Sequence, residues 1–149
     1  MLEQKLTDDM KDAMRSGDSA RLGTIRMLRA EILKLKKDGS GRTEIADDEV
    51  IKILNSYAKR VKESVEGFRT GGREEMAAQA EAELKIVEAY LPQQLSDAEL
   101  DALVRDAIAA SGASGPKEMG KAMKEASAKA AGRVDGKRLS ESIKKALGA

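Results

Sequence analysis

Apolar residues recur between positions 50 and 68 at steps of three and four: Val50, Leu54, Tyr57, Val61, Val65 and Phe68. That spacing lines one face of an amphipathic α-helix. Met76, Ala80, Leu84, Val87 and Leu91 repeat the pattern, and Thr70-Gly71-Gly72 between the two reads as a helix stop followed by a restart. Two helices of roughly 20 residues, each about 30 Å long, joined by so short a loop return antiparallel as a helical hairpin. Upstream, Leu2, Leu6, Met10, Ala13 and Met14 outline a first helix ending near Ser16-Gly17. Asp18 or Ser19 then caps a second helix running to about Lys37, and Asp38-Gly39-Ser40-Gly41 forms a flexible turn.

Leu91-Pro92-Gln93-Gln94-Leu95 is the sharpest break, because Pro92 drives Leu91 out of helical geometry. Ser96-Asp97-Ala98-Glu99 follows as a capping box, ahead of a stripe of Leu100, Leu103, Val104, Ala107 and Ile108. After a Gly/Ser/Pro loop from Ser111, a helix from about Pro116 to Ala131 carries Met119 and Met123. A last helix holds Leu139, Ile143 and Leu147. The expectation is an all-α protein. Residues 1–91 form a four-helix region with an elongated antiparallel hairpin, and residues 96–149 form a small three-helix C-terminal domain. Few apolar side chains lie in 92–99 to tie the halves together, so limited proteolysis is expected near Gln93 to Ser96 or near Gly39 to Gly41.

Composition narrows the chemistry. The 149 residues are 36% charged, 41% hydrophobic and 2% aromatic, with 27 Lys+Arg against 26 Asp+Glu. Such charge can signal disorder, but the helical periodicity and the wealth of helix formers decide against it. With no Cys, disulfides, thiolate metal sites and cysteine nucleophiles are excluded; with no His, the commonest general base and metal ligand go too. The few aromatics leave little for base stacking. No apolar run approaches a membrane span, and the acidic-leaning Met1-Leu2-Glu3 start is unlike a signal peptide. A cytoplasmic protein with no membrane partner is expected, with no cofactor and no metal.

The near-neutral total conceals an asymmetry. Residues 112–149 hold nine Lys+Arg and four Asp+Glu, a net of +5, whereas residues 1–111 carry a net of −4. A basic helical module on an acidic body has the charge distribution of a phosphate-binding surface, although lysines on Ala-rich helices also serve solubility.

Four segments carry a resemblance. Ile25-Arg26-Met27-Leu28-Arg29-Ala30, Glu88-Ala89-Tyr90-Leu91-Pro92-Gln93-Gln94-Leu95, Met119-Gly120-Lys121-Ala122-Met123 and Gly132-Arg133-Val134-Asp135-Gly136 resemble the YqeY family, in order and at matching spacing. That family is similar to the C-terminal tail domain of GatB, one component of the tRNA-dependent amidotransferase. The resemblance implies an all-α fold, a helical region followed by a small helical tail domain. It also implies a helical appendage that helps recognise tRNA while other parts of the enzyme do the chemistry. Carbon–nitrogen ligase activity with glutamine as amide donor would be inherited from that larger enzyme, and no activity of its own is expected here. Ala128 and Ala131 stand where the family often has Pro and Lys, and Ala46 where it often has Ser or Thr, so the cap there shifts to Asp47.

The residues themselves offer no catalytic set. The carboxylates of Asp47-Asp48-Glu49 and Glu74-Glu75 fall at expected helix starts, where they complement the helix dipole. Asp8-Asp9 is a further pair. Ser127 with Lys129, or Ser142 with Lys145, could form a Ser–Lys pair, but exposed lysines are the default on such helices. In the second helix Arg29 falls inside the apolar arc, Lys36 beside it and Arg26 at its edge. Arg29 is expected either to pair with Glu81, Glu83 or Glu88 of the fourth helix or to snorkel along the stripe, or to meet another protein or an RNA phosphate at an exposed groove.

Two functions from different classes follow. One is an accessory tRNA-binding module with Lys117, Lys121, Lys124, Lys129, Arg133, Lys137 and Arg138 as phosphate contacts. The other is an adaptor that uses the hairpin to bind a protein partner in tRNA metabolism. The sharpest local expectation concerns Gly132 to Gly136. Gly132 ends a helix in a left-handed backbone, Asp135 caps the next helix, and Gly136 opens it. The turn then presents Arg133, Lys137 and Arg138 beside a helix N-terminus; in the plainer alternative Arg133 pairs with Asp135 or Glu141.

Overall fold

Runs of helix-forming residues put the described residues into seven α-helices, of which the second, fifth and seventh carry a side-chain N-cap. The computed structural model describes residues 1–148, and no strand occurs among them. The helices are α1 (Leu2–Ser16), α2 (Ser19–Lys36), α3 (Asp47–Thr70), α4 (Glu74–Glu88), α5 (Asp97–Ser111), α6 (Met119–Ala130) and α7 (Gly136–Ala146). They fall into two compact units, Met1–Leu91 and a second beginning at Pro92.

In the first unit, Gly17 closes α1 in the left-handed region at φ 74°, and the Asp18 carboxylate caps α2 by accepting from the Arg21 N–H at 3.1 Å. The start of α3 departs from expectation. Ala46 holds the cap position without a side-chain bond, and Asp47 does not replace it. Its Oδ1 accepts instead from the Leu2 N–H at 3.0 Å, so a residue of α3 serves the exposed N–H groups of α1. The turn between α2 and α3 is pinned rather than loose: Arg42 bonds Glu49 at 2.7 Å and Asp38 at 2.8 Å. Bonds from Ser40 and Arg42 hold the Asp38 carboxyl down to about 2.

The interior of this unit is built from large side chains. Leu6, Ile25, Leu28, Val50, Leu54 and Val87 are fully enclosed, and Ile32, Val61 and Val65 nearly so. α3 packs most extensively against α4. Two expected stripe members, Met14 and Met76, are exposed instead. In α4 the buried line runs through Ala77, Ala80 and Val87, so Ala77 takes the inward place expected of Met76. Both tyrosines bury their rings and find carboxylates for their hydroxyls. Tyr57 donates to Glu83, and Tyr90 donates to Asp9 at 2.6 Å with the Lys5 ammonium 4.8 Å above its ring.

In the second unit the Ser96 hydroxyl accepts from the Glu99 N–H at 3.1 Å, and the Glu99 carboxylate accepts from the Ser96 N–H at 3.3 Å. This completes the expected capping box of α5. The helix expected from Pro116 opens as a single 3-10 turn, Pro116–Glu118, before α6 begins. The core combines Leu100, Val104, Leu139 and Ile143 with Ala107, Ala122, Ala126 and Ala130. α6 leaves its helix one residue earlier than expected. Ala131 turns left-handed at φ 47° and Gly132 follows at φ 82°. Ala131 is the one non-glycine residue at positive φ among the described residues, a conformation that costs an alanine roughly 1–2 kcal/mol. The turn therefore carries local strain that Gly132 alone would not have required.

Candidate nucleic-acid interface

The basic residues of the second unit sort into two groups by their partners. Arg133 and Arg138 are engaged with the segment that leads into α5. Arg133 donates from Nε to the Gln93 carbonyl at 2.9 Å and from Nη2 to Glu99 at 3.3 Å. The Leu95 N–H in turn donates to the Arg133 carbonyl at 2.8 Å. Arg138 donates to the Leu95 carbonyl at 2.7 Å and to Asp97 at 2.6 Å. Together they latch residues 93–97 onto the start of α7. Neither Asp135 nor Glu141 is an ion-pair partner of Arg133, so the pairing expected as the plainer alternative is replaced by one across the chain.

Asp135 does cap α7 as expected, accepting from the Arg138 N–H at 2.8 Å. Gly136 begins that helix.

The lysines form the second group. Lys121 pairs loosely with Glu118 at 3.5 Å. Lys117, in the 3-10 turn, and Lys124, Lys129 and Lys137 bond no carboxylate among the described residues. α6 turns Ala122, Ala126 and Ala130 inward, which leaves Lys121, Lys124 and Lys129 spread over its outer surface with Glu125 among them. On α7 the buried side is Leu139 and Ile143. At 100° per residue, Lys137, Glu141, Lys144 and Lys145 occupy an arc of roughly 100° on the opposite side. Lys144 and Lys145 therefore join Lys137, although neither was expected among the phosphate contacts. Their signal was the seven-residue step from Lys137 to Lys144, two helical turns on one face.

What this surface offers is positive charge spread over exposed helix faces, suited to a backbone of phosphates. Glu99 and Glu118 both lie below the usual carboxylate range, Glu99 chiefly through Ser96 and Glu118 chiefly through Ser114, with their cationic neighbours adding to the shift. Both stay ionised and occupied near neutral pH. Among the described residues no cluster of three or more carboxylates could hold a metal ion.

In the first unit, Arg29 and Arg26 line an open pocket of about 300 Å³ with Glu3, Ala30, Ile32, Leu33 and Lys36. None of the expected carboxylates pairs with Arg29: Glu81 pairs with Arg69, Glu83 accepts from Tyr57, and Glu88 forms no ion pair with it. Arg29 instead directs Nη1 at the Met10 sulfur at 3.1 Å. Nothing in the local sequence announces a thioether as the acceptor.

Comparison with known proteins finds a family and relatives that this chain is similar to. A family model described as "Yqey-like protein" matches residues 3–147. The protein named "Altered inheritance of mitochondria protein 41, mitochondrial" from Pyrenophora tritici-repentis is 29% identical over 148 residues, spanning 97% of this chain and 80% of that relative. A relative of the same name from Lachancea thermotolerans is 32% identical over 108 residues, spanning 69% of this chain and 56% of its own length. Both names are mitochondrial, and this overturns the expectation of a cytoplasmic protein. No helix among the described residues is long and apolar enough to cross a membrane.

Proposed function

The chain belongs to the YqeY family, and from that premise we propose that it is a non-catalytic accessory module that binds tRNA through its second unit. One observation carries the reading: Lys117, Lys124, Lys129, Lys137, Lys144 and Lys145 lie on that unit without carboxylate partners among the described residues. Unpaired lysines on rigid helices hold charge at fixed spacing, and each phosphate they neutralise releases counterions from the RNA. The two arginines of the same region have another role, holding residues 93–97, which lead into α5, against the turn before α7 and the first residues of that helix. On this reading residues 96–149 form a separate three-helix domain, and α3 and α4 form the antiparallel hairpin of the region before it. The mitochondrial names of the relatives favour an organellar tRNA pool as the place where such a module acts.

The alternative, an adaptor built on α3 and α4, has less behind it. Met76 is the one strongly exposed large hydrophobic residue on those helices. No observation favours ligase chemistry.

The test is tRNA binding by the full chain across a salt series, read by fluorescence anisotropy. Lys137→Ala with Lys144→Ala should weaken binding and flatten the salt dependence by roughly one unit of slope per lost phosphate contact. Wild-type affinity and slope in that double variant would rule out this surface. Absence of tRNA binding by the wild type at low salt would rule out the function.

A further inference from the structure

We infer that the outer face of α2 around Arg26, Arg29 and Leu33 docks an acidic amphipathic helix from a partner protein. This surface lies in the first unit and does not depend on the tRNA reading. Three observations carry it.

The first is a cation that forms no ion pair among the described residues. Arg29 is half-buried as a residue, and the hydrogen-bond partner of its guanidinium is the Met10 sulfur, a weak acceptor. A guanidinium has five N–H donors arranged to grip a carboxylate, and the one carboxylate that feels the Arg29 charge, Glu3, is already bonded by Lys36 and the Ile45 N–H. Arg26 lies three residues earlier, one turn away on the same side of the helix. It is exposed and has no partner among the described residues. The pocket's own carboxylate cannot serve either arginine fully. Burial works against the charged form of Glu3, but the Lys36 ammonium and the Ile45 N–H hold it ionised and engaged. The site is left with a surplus of positive charge.

The second observation is the apolar wall between these charges. Ala30, Ile32 and Leu33 line the same pocket of about 300 Å³. Leu33 is 48% exposed and Met27, further round α2, is 53% exposed. Together they make α2 the helix with two large exposed hydrophobics among the described residues. The third is their placement. Cation and apolar positions share one side of the helix at Arg26, Arg29 and Leu33, within about 60° of one another at 100° per residue, complementary to a helix that carries carboxylates beside a leucine stripe. A phosphate backbone would match the charges but would leave Leu33 and the pocket wall facing water. The lysines of the second unit, which lack such a wall, suit phosphate better.

The experiment uses the full chain labelled with nitrogen-15. The probe is a synthetic helical peptide of about five turns, with a leucine stripe flanked by glutamates, titrated into the millimolar range. Saturable shifts confined to Gly23 through Lys37 and to the neighbourhood of Glu3 in the pocket lining are expected, and they should vanish for the same peptide with glutamine in place of glutamate. Arg29→Gln should weaken binding about tenfold, and Leu33→Ser about threefold. Arg26→Gln, at an exposed position without partners, keeps the test decisive should Arg29→Gln lose helicity by circular dichroism. Shifts that fail to saturate, map elsewhere or survive both arginine substitutions would overturn the proposal. It would equally fall if Arg26→Gln weakened tRNA binding as much as the Lys137/Lys144 pair does, which would assign this face to phosphate. Sedimentation showing a dimer that Arg26→Gln dissolves would overturn it in favour of a second copy of this chain.

Discussion

The first unit fills its interior with Leu6, Ile25, Leu28, Ile32, Leu54 and two tyrosine rings, whereas the second lines α6 with Ala122, Ala126 and Ala130. Large side chains hold helices together by the apolar area they remove from water. A stripe of methyl groups removes less, and it holds helices together by letting their backbones approach. The second unit makes up part of the difference with polar fixings: the capping box at Ser96, the cap at Asp135, and the latch of Arg133 and Arg138 onto residues 93–97. The two units should thus fail under opposite insults. One is vulnerable to losing volume, the other to gaining it.

The largest expected effect is a truncation in the first unit. Leu54 is fully buried, and Leu54→Ala should destabilise that unit by about 3 kcal/mol through lost transfer energy and the cavity left behind. Hydrogen exchange resolved by residue should show the loss across α1 to α4, with α5 to α7 nearly unchanged. The converse change is Ala126→Leu. The site is fully enclosed, and added methylenes should cost the second unit about 2 kcal/mol by forcing α6 away from its neighbours. If Ala126→Leu proved stabilising, the close-packed account of the second unit would be wrong.

Removing a fixing should cost less. Arg138→Ala deletes bonds to the Leu95 carbonyl and to Asp97, for about 1 kcal/mol at a half-exposed site. Its clearer sign is proteolysis. With the latch in place cleavage should avoid Gln93 to Ser96, and Arg138→Ala should open that segment to the protease. Asp135→Ala should cost a similar amount, about 1 kcal/mol, as the lost cap of α7. Chemical denaturation checks both.

The smallest effect is one of pH on the first unit. Hydrogen bonding from Tyr90, then Lys5 and the Arg21 charge, holds Asp9 below its ordinary value despite some burial. Its contribution is therefore present above about pH 4 and fades as pH falls through the lowered folded value. Tyr90 runs the other way. Burial first, then Asp9, pushes its hydroxyl up to about 12, so stability is present below the ordinary tyrosine value and is lost as pH rises from there through the folded one. Tyr90→Phe should flatten the response at both ends, followed by thermal melts across pH.

The helices were legible because their signals are local. The three-and-four spacing of Val50 to Val65, the glycine after Ser16 and the Ser96–Glu99 pair each lie within a few residues, and each appears as an element or cap where the sequence put it. What could not be read depends on partners far along the chain. Asp47 serves Leu2 across 45 residues, and Arg138 reaches Leu95 across 43. No local pattern announces either. Ala131 is a different kind of miss. Gly132 beside it is the residue that propensity favours for a left-handed backbone, and the structure places both residues there. The lysine surface was partly legible, since composition showed where charge accumulates but not that Arg133 and Arg138 would be turned to structural work.

The alanine stripe of α6 also bears on temperature. The heat capacity change of unfolding rises with the apolar surface exposed. A core in which Ala107, Ala122, Ala126 and Ala130 take places that leucines could fill exposes less of that surface when it opens. The stability curve of the second unit is accordingly the flatter of the two per residue, losing less on cooling from its maximum and falling more gently on warming. A surface of fixed lysines borne on such a unit keeps its geometry over a wider thermal range than the modest size of its interior would suggest.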